Sequence, residues 1–452
     1  MDPLLILRTA CRTRELKKHD RRPLKESQMI RDAAMTRLIQ FARTNSPFYA
    51  EFHRGLEEAP LAELPVLTKA TMMDHFDNLV TNRRIRLTDV ERHLDRLHAQ
   101  PLFLGRYRVC STSGSTGRRV FFIFDRDEWA TILASFRRSA AWSGVISPLP
   151  FTPMAAVASM VPWHITSQAR NSMHLPWARV ERFDITEPLE TLTQRLNDLQ
   201  PRLVATYPSI GRTLAKEQLE GRLAIAPRIV FTGSEVLTPM VRSLMERAWG
   251  QGCVFDYYGA TETGTIAAEC ARHRLHLAED LLVVEGVDRQ NRPVPPGIAS
   301  EKLLVTVLFQ RTQPLIRYEI SDRVVFAGSG CDCGLPWRIL EQVEGRDEEM
   351  LRLPAAGGGT REVHPVVFEG ILDNLPVAGW QVTSSSNDVT VLLAGADGID
   401  PDPVREKILE ALAKRGVEPA AVTVRRVAEL SRTITGKAAH VRLVRGQDQK
   451  MV

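Results

Sequence analysis

The sequence is sparing in the features that mark several protein classes. It carries six cysteines in 452 residues, aromatic side chains make up 6% of it, and 59 basic against 54 acidic side chains leave a net charge of +5. Six thiols in a chain of this length argue for a reducing compartment and for free thiols or a metal site rather than a disulfide framework. Near-balanced charge with no dominant basic block leaves no electrostatic footprint for a polyanion, so no nucleic-acid partner is expected. The longest uncharged stretch, Ser139 to Trp163, is interrupted by Pro148, Pro150, Pro153 and Pro162. It reads as a buried strand–loop–strand segment and not as a membrane span. Met1 to Lys18 holds one short apolar patch, Leu4 to Leu7, followed by charges. That is no secretory signal, and the expectation is a cytoplasmic protein. No internal repeat is evident, and the G-x-x-x-x-G-K-[ST] spacing of a P-loop is missing.

What is present is a globular composition, 44% apolar and 25% charged, long enough for two or three domains. Residues 1 to about 95 are helical in pattern. From about Leu102 to Phe326, short apolar runs alternate with helical stretches. Val120 to Phe124, Leu203 to Thr206, Arg228 to Thr232 and Cys253 to Tyr257 read as strands; Pro188 to Leu199, Ile210 to Leu219 and Pro239 to Trp249 read as helices. This alternation predicts an α/β domain with a mainly parallel sheet flanked by helices. Beyond about residue 345 the pattern changes to a small α+β unit: helices over Val363 to Leu372 and Pro403 to Lys414, strands over Gly379 to Val382, Val389 to Leu393 and Ala421 to Val427. The expected domains are therefore 1–345 and 346–452.

The strongest local signal is Ser111-Thr112-Ser113-Gly114-Ser115-Thr116-Gly117-Arg118-Arg119, between two apolar runs. Small residues let backbone N–H groups and hydroxyls approach a phosphate, and the two arginines can supply positive charge. Four further segments follow in order: Phe231-Thr232-Gly233-Ser234-Glu235; Asp256-Tyr257-Tyr258-Gly259-Ala260-Thr261-Glu262; Ile316 to Asp322; and Glu344-Gly345-Arg346-Asp347-Glu348-Glu349-Met350-Leu351. A last one is Thr433-Ile434-Thr435-Gly436-Lys437. This ordered series resembles the adenylate-forming superfamily of acyl-CoA synthetases, adenylation domains and luciferases. Within it, the chain is most similar to the phenylacetate–CoA ligase group and its coenzyme F390 synthetase-like relatives, over roughly residues 30–445.

The resemblance implies an ATP- and Mg²⁺-dependent ligase. It would form an acyl-adenylate from a small carboxylic acid, release pyrophosphate, and pass the acyl group to coenzyme A. The acid implied is aryl or arylacetic. An amine or a carrier-protein thiol as acceptor, or a non-catalytic nucleotide-binding relative, are the competing readings. Ser113, Gly114, Ser115, Thr116 and Gly117 would hold phosphate, and Gly233, Ser234 and Glu235 end a strand where open α/β sheets bind ligands. Tyr257 and Tyr258 offer flat faces for adenine beside Gly259, and Asp256 can bond its amino group. Thr261 precedes Glu262, a hard oxygen donor for Mg²⁺. Asp322 can accept the ribose hydroxyls, and by resemblance Arg346 contacts the nucleotide. Lys437 is the implied catalytic cation, placed between carboxylate and α-phosphate as two anions join. The small domain of relatives rotates about a hinge two residues after the Arg, here Glu348, flanked by Asp347 and Glu349. The loop carries Arg118-Arg119 where relatives have Lys-Pro, and Leu353 to Gly359 replaces a segment that lines their coenzyme A tunnel. Trp163-His164 and Tyr207-Pro208-Ser209 are weaker acyl-pocket candidates.

Cys331-Asp332-Cys333 lies in a glycine-rich turn, and Cys270 stands upstream with His273 and His276. Three thiols and an imidazole form a closed, structural type of Zn²⁺ set. The resemblance favours Cys270, His276, Cys331 and Cys333, with His273 as the other candidate histidine. Cys11, Cys110 and Cys253 have no assigned role, and the oligomeric state, a homodimer included, stays open.

Overall fold

The computed structural model describes residues 2–97, 100–112, 119–144, 152–158, 160–172, 179–185, 187–346, 351–363, 366–372, 375, 377, 379–385, 388–396, 398–414, 416–419, 421–430 and 441–443. The charged, glycine-poor start of the chain forms helices, the longest being Pro3–His19 and Leu24–Asn45. Asp2 caps the first of these by accepting the Leu5 N–H at 3.2 Å.

The centre is a nine-stranded sheet. Val180–Asp184, Met154–Ala158, Leu203–Thr206, Ile229–Gly233 and Val254–Ala260 lie side by side in parallel. Helices Leu189–Leu199, Pro208–Leu219 and Pro239–Trp249 fall between these strands in sequence. They bury Leu192, Leu196, Leu214, Val241 and Met245 in one apolar cluster with Val157, Val204, Val230 and Val254. Burial of a Leu, Val or Met side chain is worth about 1.5–3 kcal/mol, so this cluster holds the parallel strands in place.

At Ala260 the sheet changes character. Thr261, Glu262 and Thr263 turn the chain tightly into Gly264–Glu269, and so short a connection can only make an antiparallel pair. Leu275–Leu277, Ile339–Arg346 and Asp322–Phe326 continue the sheet antiparallel. The parallel sheet predicted from alternating runs is thus five strands wide and is extended by four antiparallel strands. Helix Arg126–Trp142 lies against Gly264–Glu269. This helix reaches Trp142, so the start of the uncharged Ser139–Trp163 stretch is its last turn and not a strand; Met154–Ala158 is the strand within it.

A separate apolar cluster runs from Leu351 to Val422 and includes Phe368, Trp380, Val391, Ile408 and Leu412. It lies beneath a four-stranded sheet with helices Val366–Leu372 and Pro401–Ala413. Val363, expected to open the first of these helices, instead ends strand Thr360–Val363, which pairs with Leu351–Pro354 as a hairpin.

Candidate active site and metal cluster

Parallel strands deliver their C-terminal ends to one end of the sheet, the place where open α/β sheets bind ligands. Ile229–Gly233 ends there beside Val254–Ala260, with Thr232 opposite Asp256 and Gly233 opposite Tyr257. A Cβ on Gly233 would stand 2.8 Å from the Tyr257 carbonyl oxygen, so the close approach requires glycine. Ser234 then takes φ +70°, a left-handed conformation that costs a non-glycine residue energy. This turn aims Glu235 at the start of helix Pro208–Leu219, where its carboxylate accepts the Ser209 N–H at 2.9 Å and hydroxyl at 3.1 Å. An acid at a helix N-terminus is favoured by the helix dipole. The pocket candidate Ser209 and the motif residue Glu235 are thereby one unit.

Asp256 accepts the Thr232 hydroxyl at 3.0 Å. Burial, and then the charge of Glu269, push its carboxyl up to about 7. Successive residues of a strand face opposite sides, so Tyr257 and Tyr258 do not form one clamp. Tyr257 packs edge-on against Phe136, ring centroids 5.7 Å apart, and donates to Thr265 Oγ1 at 3.1 Å. Its ring folds back over Gly259, where a Cβ would lie 2.6 Å from Tyr257 Cε1. Tyr258, on the side of Asp256, donates its hydroxyl to Asp322 Oδ2 at 2.6 Å. Asp322 pairs in register with Arg346, so the third and fourth motifs share one strand pair. Thr261 and Glu262 are both buried in the turn, and the Glu262 carbonyl accepts the Gln310 amide at 2.6 Å.

Ser113, Gly114, Ser115, Thr116, Gly117 and Lys437 lie outside the described residues, as do Asp347, Glu348, Glu349 and the side chain of Arg346. Immediately beyond the phosphate loop, the Arg119 guanidinium lies over the Trp163 ring, 4.8 Å from its centroid. Before the loop, the Ser111 N–H donates to the Trp163 carbonyl at 3.0 Å. The weaker candidate Trp163 therefore touches both flanks of the loop. His164 is buried and its Nδ1 lies 2.7 Å from Thr166 Oγ1.

Two side chains near the site were passed over in the sequence, Glu269 and Arg242. The signal was available: Glu269 is a lone acid ending the strand Gly-Thr-Ile-Ala-Ala-Glu, whose six residues are all buried.

The cysteine and histidine residues converge elsewhere in the same sheet. Ligand atoms of Cys270, His276, Cys331 and Cys333 all lie within 4.8 Å of one another. Cys270 and Cys331 Sγ are 3.8 Å apart, and Cys333 Sγ is 3.3 Å from His276 Nε2. A tetrahedral ion with metal–sulfur bonds of about 2.3 Å needs sulfur–sulfur separations of about 3.8 Å, so the donor set fits. His276 Nδ1 lies 3.0 Å from the Trp337 carbonyl, which fixes the tautomer and leaves Nε2 as the ligand atom. His273 is turned away, stacked on Phe255 at 4.6 Å with Nδ1 3.3 Å from Glu269 Oε2. All six cysteines are unpaired. Among the described residues, no helix is long and apolar enough to cross a membrane.

No family model matches the chain. The CapK protein of Staphylococcus aureus is 22% identical over 297 residues, covering 63% of this chain; the chain spans 60% of that relative's length. The structure of 2-hydroxyisobutyryl-CoA ligase in its postadenylation state, in complex with R3-HIB-AMP, superposes with a TM-score of 0.73 at 18% identity, covering 96% of this chain and 93% of that one. The chain thus has the fold of this ligase. The same ligase in its thioesterification state, with 2-HIB-AMP and CoA, gives a TM-score of 0.58 at 19% identity over 95% and 92% of the two chains. ATP-bound MatB from Rhodopseudomonas palustris gives 0.51 at 17% identity over 73% and 65%.

Proposed function

We propose that the chain is an ATP- and Mg²⁺-dependent carboxylic acid ligase that forms an acyl-adenylate and transfers the acyl group to coenzyme A. One observation carries the reading: the Gly233–Glu235 and Asp256–Glu262 motifs lie on adjoining strands, and the Tyr258 hydroxyl, donating to Asp322 at 2.6 Å, joins them to a residue of the sheet's far edge strand. Asp256 is assigned to the base, Asp322 to the ribose hydroxyls, Ser113–Gly117 to the phosphates and Lys437 to the reacting anions. In the first step the acid's carboxylate oxygen attacks the α-phosphorus and pyrophosphate leaves. In the second the coenzyme A sulfur attacks the acyl carbon, AMP leaves, and the thiol proton is released. Glu262 is the residue assigned to Mg²⁺, which would neutralise phosphate charge.

The substrate class assigned is an aryl or arylacetic acid, and the residues after about 345 are assigned to a unit that re-orients between the two steps. The difference in TM-score between two states of one ligase supports the second assignment. Zn²⁺ is assigned to Cys270, His276, Cys331 and Cys333 in a structural role, supported by the tetrahedral fit of the donor atoms. Pyrophosphate release across a panel of acids, with and without coenzyme A, tests the reaction. Release for an aryl acid with thioester product supports it; adenylate without thioester for any acid moves the acceptor to an amine or a carrier thiol. Unchanged ATP–pyrophosphate exchange in Lys437→Ala removes the mechanism.

A further inference from the structure

The ladder between Val254–Ala260 and Gly264–Glu269 starts at Tyr257 opposite Ala268. One residue beyond it, the Asp256 N–H faces no strand carbonyl. It donates instead to the side chain of Glu269, at 3.0 Å to Oε2. The other oxygen, Oε1, accepts from Arg242 at 2.5 Å, and Arg242 also donates to the Val254 carbonyl at 2.6 Å. Glu269 is 7% exposed, and it holds the backbone on both sides of Phe255: directly at Asp256, and through Arg242 at Val254. Thr232 holds the Asp256 carboxyl from the opposite strand at 3.0 Å. On the far side of Glu269, the next residue, Cys270, belongs to the metal cluster, so the acid is anchored from behind.

We propose that Glu269 is a positioning residue of the nucleotide site, setting through the Asp256 main chain where the Asp256 carboxyl meets the base. The proposal rests on the reading that this site binds ATP with Asp256 at the base edge. The physical reason is that selectivity for an exocyclic amino group depends on an acceptor held within a few tenths of an ångström, and a carboxyl on a strand held from one side only is less closely placed. Glu269 touches no substrate atom in this account; it acts through Asp256, and the pair it makes with Arg242 keeps its own charge compensated.

The test is equilibrium binding of ATP and of ITP, which differ in the amino group that ITP replaces with a carbonyl, with circular dichroism as the check on folding. The wild type is expected to favour ATP. Glu269→Leu combined with Arg242→Met removes the acceptor without leaving an unpaired charge, and is expected to narrow the ATP-over-ITP ratio about 10-fold. Glu269→Gln with Arg242→Met has the same charge but keeps a carbonyl acceptor, and is expected to restore the ratio to within about 3-fold of wild type. The single Glu269→Gln variant, the mildest change, is expected to fall between them. An unchanged ratio in the Leu/Met pair, or in Glu269→Gln should the pair not fold, overturns the role of Glu269. Wild type binding ATP and ITP equally overturns it too while leaving ATP binding intact. Wild type binding neither overturns it together with the reading beneath it.

Discussion

Two clusters of buried charge lie in this sheet and its flanks, and they are built on opposite plans. In the first, Arg138 is 1% exposed and stands 2.7 Å from Asp280 and 3.7 Å from Asp20. His19 Nδ1 lies 2.8 Å from Asp280, and Asp20 accepts the indole N–H groups of Trp142 and Trp337 at 2.9 and 3.0 Å. Burial alone would raise Asp280, but Arg138 and His19 outweigh it and bring the carboxyl to about 2. In the second, the cation at hand, Arg242, is directed to Glu269, and Asp256 is left at about 7. The first cluster fastens the end of helix Pro3–His19 to helix Arg126–Trp142, with the charge of Asp280 answered inside the chain, while burial raises Asp20 above its ordinary value despite Arg138. The second holds a carboxyl whose surroundings disfavour its charge, as expected where the compensating partner arrives from outside.

Breaking the first cluster should have the largest effect. Arg138→Met leaves Asp280 buried without its cation and is expected to lose about 3–5 kcal/mol in urea denaturation. A loss under about 1 kcal/mol would remove the contrast. The same cluster has an acid limit. The Asp280 carboxyl has a depressed folded value, so its contribution is complete above its ordinary 3.8 and is lost as pH falls towards 2. Arg138→Met should lack that acid-dependent component.

Metal removal comes next. Trp337 joins the two regions, because its carbonyl meets His276 Nδ1 while its indole meets Asp20. Stripping the metal with a chelator is expected to lower stability by about 3 kcal/mol relative to free zinc at a hundred times its Kd. It should also shift tryptophan emission, since Trp142 stands edge-on to His276 at 6.4 Å. A protein as purified that holds no stoichiometric zinc, or whose emission and Tm ignore the chelator, would detach the cluster from the fastening.

The smallest stability change, and the one of opposite sign, is expected at Asp256. Its folded value is raised, so the native state keeps a proton that the unfolded chain gives up, and stability declines as pH rises from 3.8 to about 7. Asp256→Asn should therefore gain roughly 1 kcal/mol at pH 8, with the advantage growing between pH 4 and 7 and then levelling. The same variant should bind ATP about 10-fold more weakly. A variant that is less stable than wild type at pH 8 would place Asp256 with the scaffold.

These two clusters also differ in how far they could be read from the sequence. Asp256 stands inside a motif whose residues are adjacent, so its neighbourhood is visible in a short window. The thiol cluster is similar: Cys331-Asp332-Cys333 announces itself, although spacing alone does not separate His273 from His276. The separation comes from strand Leu275–Leu277, which turns His276 to the thiols while His273 sits in the preceding turn against Phe255. Arg138, Asp20 and Asp280 lie in three unrelated segments with no local pattern, and only the tertiary fold brings them together. Three of the five parallel strands, Leu203–Thr206, Ile229–Gly233 and Val254–Ala260, were legible as apolar runs set between helices; Val180–Asp184, with two acids and an arginine, was not, and the expected strand Val120–Phe124 pairs antiparallel with Arg108–Thr112 outside the sheet. The antiparallel half was not, because strands as short as Leu275–Leu277 carry too few residues to show a period.

The turn from Ala260 to Gly264 has a consequence for how such a chain can vary. It reverses the sheet's direction and carries Thr261 and Glu262, and its return strand places Glu269 beside Asp256 and Cys270 among the thiols. A one-residue slip of this ladder would turn the side chains of Gly264–Glu269 to the opposite face of the sheet. The main-chain anchor of Asp256 and the thiol of Cys270 thus depend on one strand register, so lengthening should be tolerated in loops elsewhere, such as Asp288–Arg292, and not in this one.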